Sequence, residues 1–234
     1  RMSLRDIIAA LEQGARAALG VVMATAAAGI IIGVITLTGL GLKLASGLVS
    51  LAQGQLFLTL FFTMIASLIL GMGSPTTANY VITSTIAAPA LLQLGLPVLV
   101  AHMFVFYFGI LADITPPVAL AAYAGAGIAG AQPMKTGVTA TRIAVAAFLI
   151  PYIFAYNPSM LLIDVTWQQI LQMAITSILG MFGVAVAMGG FFRTNLTVPE
   201  RILFALGGVL MIDPGLVTDL VGLILLAGGI GLQL

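Results

Sequence analysis

The sequence is a succession of long apolar runs separated by short polar interruptions. A helix needs about 20 predominantly apolar residues to cross the hydrocarbon core of a bilayer, and several runs approach or reach that length. The apolar segments span residues 17–42, 55–70, 81–94, 96–111, 118–131, 138–156, 168–192 and 201–234. This pattern predicts an all-α, polytopic membrane protein built as a helical bundle.

The composition supports the same fold class. Hydrophobic residues make up 61% of the 234 residues and charged residues only 6%, whereas a soluble domain has about 25% charged residues with which to solvate its surface. The net charge of +1 gives no indication of a nucleic-acid partner, and the lack of cysteine excludes disulfides and thiolate metal sites. We therefore expect the lipid bilayer to surround the chain.

Three segments differ in character. Residues 1–16 form an amphipathic cytoplasmic lead-in, residues 17–192 hold the main membrane unit, and residues 193–234 form an apolar C-terminal tail. The tail is interrupted at Asp213, so it is either one broken helix or a short hairpin. Because the chain begins with Arg and stops inside an apolar run, we expect it to be part of a longer polypeptide.

The basic residues indicate an orientation, because Lys and Arg concentrate on the cytoplasmic side of a membrane protein. If the first span leaves the cytoplasm, only Lys43 lies outside. The other seven basic residues lie inside, namely Arg1, Arg5, Arg16, Lys135, Arg142, Arg193 and Arg201. In this orientation Tyr156 and Trp167 fit the aromatic belt at the outer interface.

The first polar interruption, which we call the first break, covers residues 71–80. It combines helix-breaking residues with hydroxyl side chains: Gly71, Gly73, Ser74, Pro75, Thr76 and Thr77. Irregular backbone at membrane depth persists only where it is buried in protein or lines a cavity. Freed carbonyls and hydroxyls are ligands that a small hard cation prefers, so we predict an ion site here. The flanking arms form either two full spans or a re-entrant hairpin over residues 55–94.

The second break, residues 112–117, interrupts the next element. Thr115, Pro116 and Pro117 free further carbonyls, and Asp113 adds a carboxyl group. A carboxyl at this depth indicates cation or proton handling, although it also fits a cap on the helix that resumes after the break. The positive ends of the helices that resume at Thr76 and Val118 favour an anionic solute.

Other residues have simpler interpretations. Gly125, Gly127 and Gly130 form a small-residue face that we expect to pack closely against another helix. His102, the single histidine, lies within an apolar helix, where a hydrogen-bonded structural role is expected. The rival function is an intramembrane hydrolase in which Ser74 is the nucleophile and His102 its base. The proline that follows Ser74, together with the nearby Thr residues, favours ion coordination over hydrolysis.

The two breaks together resemble a known family. The run Gly71-Met72-Gly73-Ser74-Pro75-Thr76-Thr77-Ala78-Asn79-Tyr80, followed by Tyr107-Phe-Gly-Ile-Leu-Ala-Asp-Ile-Thr-Pro-Pro-Val-Ala-Leu120, is similar to the large membrane subunit of tripartite ATP-independent periplasmic (TRAP) transporters. The resemblance covers residues 17–192 and is strongest to the fused permeases that work with TAXI-type solute receptors.

This resemblance implies an elevator-type secondary transporter, not an enzyme, with this chain as the second of two inverted repeats. It implies a re-entrant hairpin at 55–94 and a broken helix at 96–131, followed by two spans. The N-terminal half and a small membrane subunit, fused in the full chain, would complete the transporter, together with a periplasmic TAXI-type solute-binding protein. The expected location is the inner membrane of a bacterium or archaeon, and the expected cargo is a small carboxylate-like solute.

The resemblance also assigns site residues. Ion-binding roles carry over to Gly73, Ser74, Thr76, Thr77, Thr115 and Pro116, to which the residue chemistry adds Gly71 and Asp113. A sodium ion is expected at Gly73, Ser74, Thr76 and Thr115. Solute contacts are expected from Pro75, Asn79 and Pro117. No organic cofactor is expected, and the coupling ion is sodium or a proton, with sodium favoured.

Overall fold

The computed structural model describes residues 3–233, and 82% of it is helical. The α-helices of this part of the chain are α1 (Leu4–Thr38), α2 (Leu40–Leu51), α3 (Leu56–Gly71), α4 (Thr76–Ile86), α5 (Ala88–Gln93), α6 (Val98–Leu111), α7 (Leu120–Ala129), α8 (Pro133–Ile143), α9 (Val145–Tyr156), α10 (Trp167–Gly189), α11 (Val198–Ile212) and α12 (Leu216–Gln233). Residues 3–233 contain no β-strand beyond one isolated bridge between Phe191 and Asn195. The prediction of an all-α protein is confirmed.

The amphipathic lead-in and the first apolar span form one helix. α1 continues without a break from Leu4 to Thr38, and residues 3–16 are exposed. The helix ends four residues before the predicted boundary at residue 42. Gly39 adopts a left-handed conformation with φ 63°, which stops α1 and allows α2 to begin at Leu40.

α6 lies at the centre of the main core. Its buried side chains Phe104 and Phe108 pack with Leu60 of α3, Leu91 of α5 and Phe154 of α9. The rings of Phe104 and Phe108 meet edge to face at 4.9 Å, a favoured aromatic geometry. Both arms that flank the first break therefore pack on the helix that leads into the second break.

The second broken element resumes later than the sequence indicates. α6 passes into a 3-10 turn at Ala112–Ile114, and α7 begins at Leu120 rather than Val118. The backbone at Ala119 is left-handed, with φ 38°, so the chain changes direction before α7 starts. The predicted span 138–156 corresponds to α8 and α9, which are bent by 41° relative to each other.

The C-terminal tail is a hairpin. Asp213, Pro214 and Gly215 separate α11 from α12, and these two helices pack antiparallel, because Phe204 meets Gly229 while Gly207 meets Gly222. A hydrogen bond from Gln172 Nε2 to Asp219 Oδ2 (2.7 Å) joins the first turns of α10 and α12. The alternative of one broken helix is therefore excluded.

Close glycine packing occurs among α10, α11 and α12, which we call the three-helix unit. It does not occur where the sequence predicted it. A Cβ added to Gly180 would lie 2.6 Å from the carbonyl oxygen of Gly208, and one added to Gly222 would lie 2.8 Å from that of Gly207. By contrast, a Cβ added to Gly125 or Gly127 would meet no described atom within 4 Å, and Gly130 is the left-handed C-cap of α7. The predicted close-packing role of Gly125, Gly127 and Gly130 is thus wrong for the part of the chain that the structure describes.

The helices have the apolar exteriors of membrane spans. Among the described residues, α10 and α12 are each long and apolar enough to cross a bilayer, and up to four spans result if each bent helix pair counts as one. α3, α6 and α7 are apolar but shorter. Large hydrophobic side chains remain exposed, for example Leu37 at 89% and Ile128 at 91%. The chain is a multi-pass membrane protein whose breaks divide its middle elements into short helices.

Candidate functional site

The two breaks touch each other. Gly71 is the last residue of α3, and a Cβ added there would lie 2.6 Å from the carbonyl oxygen of Gly109 and 3.0 Å from Cβ of Ala112. Gly109 lies in the last turn of α6, and Ala112 begins the 3-10 turn of the second break. Segments that are about 40 residues apart in sequence are therefore in direct contact, and only a glycine at position 71 allows this close approach.

The side chain of Asn79 joins the two breaks. It lies in the first turns of α4, is 2% exposed, and packs between the two glycines. A Cβ added to Gly71 would lie 2.9 Å from Asn79 Nδ2, and one added to Gly109 would lie 2.6 Å from Asn79 Oδ1. Oδ1 has no hydrogen-bond partner among the described residues, although a buried amide oxygen normally has one.

The first break itself is a tight turn at residues 72–75. Gly73 has φ 76°, a left-handed conformation that favours glycine. Both the N–H and the hydroxyl of Ser74 approach the carbonyl oxygen of Gly71, at 3.5 and 3.4 Å. Pro75 then precedes the first residue of α4, Thr76, whose side chain is exposed. The turn thus exposes hydroxyls and the start of a helix on one surface.

At the second break, hydroxyl groups donate hydrogen bonds to several of the freed carbonyl oxygens. The Thr115 hydroxyl donates to the carbonyl oxygen of Leu111 at 2.6 Å. Thr141 of α8 donates to Ile114 at 3.0 Å, and Tyr123 of α7 donates to Pro117 at 2.9 Å. A hydroxyl that donates its proton in this way keeps its oxygen lone pairs for another ligand.

Thr141 and Tyr123 were not among the residues singled out from the sequence. The single proton of the Thr141 hydroxyl is shared with the carbonyl oxygen of Gly137 in its own helix, also at 3.0 Å. Its bond to Ile114 spans 27 residues, so no local pattern could have revealed it. α8 is therefore part of the support of the second break.

Asp113 does not cap a helix. It lies half-buried in the 3-10 turn, and no described residue donates a hydrogen bond to its carboxylate. The residue that precedes α7 is Ala119, six positions later, and α7 has no side-chain cap. The capping interpretation of Asp113 is wrong, because the helix resumes too far along the chain. Its carboxylate is left available for a ligand at the second break.

α3 carries a stripe of buried polar side chains that sequence analysis missed. Thr63 and Ser67 are fully buried, lie four residues apart, and lead to Gly71 at the first break. Their hydroxyl oxygens have no hydrogen-bond partner among the described residues, whereas Thr59 on the same face bonds to the carbonyl of Gln55 at 2.9 Å. The four-residue spacing was the signal for this stripe, since it places residues on one helix face.

Ser74 and His102 do not form a catalytic pair. The Nδ1 atom of His102 is 3.0 Å from the hydroxyl oxygen of Tyr80, and the Ser74 hydroxyl bonds to Gly71. A nucleophilic serine needs its base within hydrogen-bond reach. The observed partners fit a structural histidine, and the hydrolase alternative has no support.

The charge distribution around the breaks is unusual. No Lys or Arg occurs between Lys43 and Lys135, and Asp113 is the one acidic residue in that stretch. Arg142 of α8 lines a surface pocket together with Pro116, so a basic side chain lies near the second break, beside the helix N-termini and hydroxyls that an anion could use. A cation would find carbonyls, hydroxyls and one carboxylate.

Comparison with protein families identifies the chain. A family model described as the DctM component of the tripartite ATP-independent periplasmic transporters matches residues 1–168, which include both breaks. The chain belongs to the DctM family. No curated protein and no solved structure gave a match. As a DctM protein, the chain belongs to the large membrane component of a secondary transporter for solutes; such components work with a periplasmic solute-binding receptor and a small membrane subunit.

Proposed function

We propose that this DctM chain forms the second inverted repeat of an elevator-type importer and binds the coupling cation where its two breaks meet. The observation that carries this proposal is the contact of Gly71 with Gly109 and Ala112, with Asn79 between them. This contact supports the proposal because it joins the two elements that carry the candidate oxygen ligands. Interrupted helices in secondary transporters form their ion and solute sites in this manner.

The cation would be held by oxygen atoms of both breaks. The proposed ligand set comprises Gly71, Gly73, Ser74, Thr76, Thr77, Asp113, Thr115 and Pro116, with sodium at Gly73, Ser74, Thr76 and Thr115. The hydroxyls of Ser74 and Thr115 already donate to backbone carbonyls, so their lone pairs remain for a cation. Asp113 would supply the negative charge that offsets desolvation of the ion.

The solute would bind beside the cation. Pro117 is exposed and Pro75 is partly exposed next to the start of α4, and a helix N-terminus attracts an anionic group. These features support a small carboxylate as cargo. Asn79 stays a predicted solute contact, but its amide is buried in this structure, so a solute would reach it only if the hairpin separated from α6.

The complete transporter would contain partners outside this chain. We propose an N-terminal repeat and a small subunit fused in the same polypeptide, a TAXI-type receptor on the outer side, and the inner membrane of a bacterium or archaeon as the location. The motif resemblance supports the receptor type. In this assembly, residues 55–131 would move with the bound solute and cation.

Uptake by the complete transporter in proteoliposomes, with its receptor and solute, tests the proposal. We expect Asp113→Asn to raise the sodium concentration for half-maximal uptake by at least about tenfold, equivalent to about 1.4 kcal/mol, because the amide keeps the shape but loses the charge. Asp164→Asn, in an exposed loop, is the matched control. Loss of pH sensitivity with unchanged sodium dependence would assign a proton to Asp113 instead. Normal uptake under every sodium and pH gradient would overturn the assignment of this residue.

A further inference from the structure

A cavity of about 390 Å³ lies at one end of the C-terminal three-helix unit. It is formed by the first turns of α10 and α12, the loop that precedes α10, and the turn between α11 and α12. Its polar lining consists of Asn157, Ser159, Gln169, Gln172 and Asp219. No residue of either break lines it, so the cavity is separate from the ion site proposed above.

Asp219, in the first turn of α12, is the one carboxylate that lines the cavity. Its Oδ2 atom accepts a hydrogen bond from Gln172 Nε2 at 2.7 Å. Its Oδ1 atom is buried and has no hydrogen-bond partner among the described residues. No basic side chain of the described residues lines the cavity. A buried carboxylate oxygen without a partner is costly, so this wall is suited to a cationic hydrogen-bond donor.

Other side chains near the cavity are paired with protein. Asn157 Nδ2 donates to the carbonyl oxygen of Pro214 at 3.0 Å, and the Ser159 hydroxyl donates to Asn157 Oδ1 at 2.6 Å. Gln169 Oε1 accepts from Thr166 as part of a capping box. The Ser159 oxygen keeps its lone pairs and, with Asp219 Oδ1, provides acceptors, while the Gln169 Nε2 amide, whose Oε1 is held by Thr166, forms no hydrogen bond with the described residues. These acceptors match an ammonium group, which has N–H donors and no acceptor.

The exposed side chains beside the cavity are those expected at a membrane interface. Trp167, the first residue of α10, is 76% exposed, and exposed Trp residues mark the headgroup region. Leu171 and Leu216 beside the cavity are also exposed and apolar, as expected for lipid contact. Arg193 and Arg201 lie near the opposite ends of α10 and α11, which places the cavity at the outer leaflet by the distribution of basic residues.

We propose that this cavity binds the ammonium group of an ethanolamine phospholipid in the outer leaflet, with Asp219 as its main acceptor. A bare inorganic ion would leave most of the volume empty, whereas a headgroup enters from the lipid side with its acyl chains along the exposed surfaces of α10 and α12. A primary ammonium donates hydrogen bonds to Asp219 and Ser159. A choline headgroup carries the same charge but has no N–H.

Native mass spectrometry of the complete transporter tests this site. The transporter is reconstituted in nanodiscs with ethanolamine, N-monomethyl, N,N-dimethyl or choline phospholipids, each mixed with the same anionic lipid. We expect a retained lipid whose occupancy falls stepwise with methylation, by at least about tenfold from ethanolamine to choline, equivalent to about 1.4 kcal/mol. Equal retention of the four headgroups would overturn the proposal, and this comparison needs no variant.

Variants then localise the site. Asp219→Asn should lose the retained ethanolamine lipid, while Asp219→Glu should keep part of it and Asp164→Asn all of it. Unchanged lipid retention in Asp219→Asn would place the lipid elsewhere and contradict the proposal. Free ethanolamine is added in a separate arm. Displacement of the lipid by a low concentration of free ethanolamine, with no preference for the lipid form, would assign the cavity to a soluble amine instead.

Discussion

The amide oxygen of Asn79 occupies the space in which a side chain at Gly109 would begin, since a Cβ added at Gly109 would lie 2.6 Å from it. α4 and α6 can therefore pack in this way only because residue 109 is glycine. The contact joins the helix that follows the first break to the helix that precedes the second. The two breaks consequently form one structural unit, and a change at either residue should affect both.

Gly109→Ala should destabilise the protein through this contact. Overpacking a fitted interior by one methyl group costs about 1–3 kcal/mol, and Asn79 has little room because it is buried between two glycines. The measurement is the thermal unfolding temperature of the purified transporter in detergent. Gly127→Ala in α7 is the control, because a Cβ there would meet no described atom within 4 Å. If the two variants unfold at the same temperature, the proposed packing is wrong.

Truncation of Asn79 should relieve part of the destabilisation caused by Gly109→Ala. In the double variant Asn79→Ala/Gly109→Ala the clash is removed, so we expect it to be more stable than the sum of the two single variants implies. Residues in direct contact typically show an interaction energy of about 0.5–3 kcal/mol in such a cycle. Strict additivity would indicate that the two side chains do not meet.

Thr141→Val tests the support that α8 gives to the second break. The variant loses the 3.0 Å hydrogen bond to the carbonyl oxygen of Ile114, which should cost about 1 kcal/mol and weaken sodium-dependent uptake. Thr139→Val is a matched control, because the Thr139 hydroxyl bonds only to Lys135 in its own helix at 2.8 Å. Equal uptake by the two variants would remove α8 from the site.

Ser74→Ala and His102→Ala separate transport from hydrolysis. We expect Ser74→Ala to reduce ion-dependent uptake only in part, because the other oxygen ligands of the site remain. His102→Ala removes the hydrogen bond to Tyr80 and should leave the sodium dependence of uptake largely unchanged. Both variants are assayed for uptake and for esterase and protease activity. Normal uptake in Ser74→Ala would contradict an ion-binding role for Ser74, and loss of a hydrolytic activity in both variants would revive the hydrolase alternative.

Cysteine labelling tests the orientation, and the chain offers a clean background because it contains no cysteine. Cysteines at Ser74 and Thr76 should react with small aqueous reagents only in some transport states. A cysteine at Leu94 should react from the outside of right-side-out vesicles. Labelling of Leu94→Cys from the cytoplasmic side alone would reverse the orientation derived from the basic residues.

The sequence revealed the breaks but not how they meet. Gly73, Pro75, Pro116 and Pro117 act on the local backbone, so their effect on helices can be predicted from sequence. The contact of Gly71 with Ala112 depends on how α3 packs against α6, and this packing cannot be predicted from sequence spacing. The same limit applies to the start of α7 at Leu120, because the preceding residue, Ala119, is fully buried against Gly137 of α8.

Glycines show the same difference between local and tertiary information. Gly125 and Gly127 were expected to support close packing but face open space in the described structure, whereas Gly180 and Gly208 pack closely against each other. A small residue permits close approach without specifying a partner. Whether a glycine packs closely depends on which helix lies opposite it. Only the three-dimensional structure shows this.

Sodium-dependent thermal stability of the purified transporter tests the central claim most directly, because it needs neither solute nor receptor. A ligand that binds only the folded state stabilises it in proportion to RT ln(1 + [L]/Kd). We predict that the unfolding temperature of the wild type and of Asp164→Asn rises as sodium chloride replaces choline chloride at constant ionic strength. The same titration should give little or no rise in Asp113→Asn. An equal sodium-dependent rise in Asp113→Asn and the wild type would contradict the binding of the coupling cation at the joined breaks.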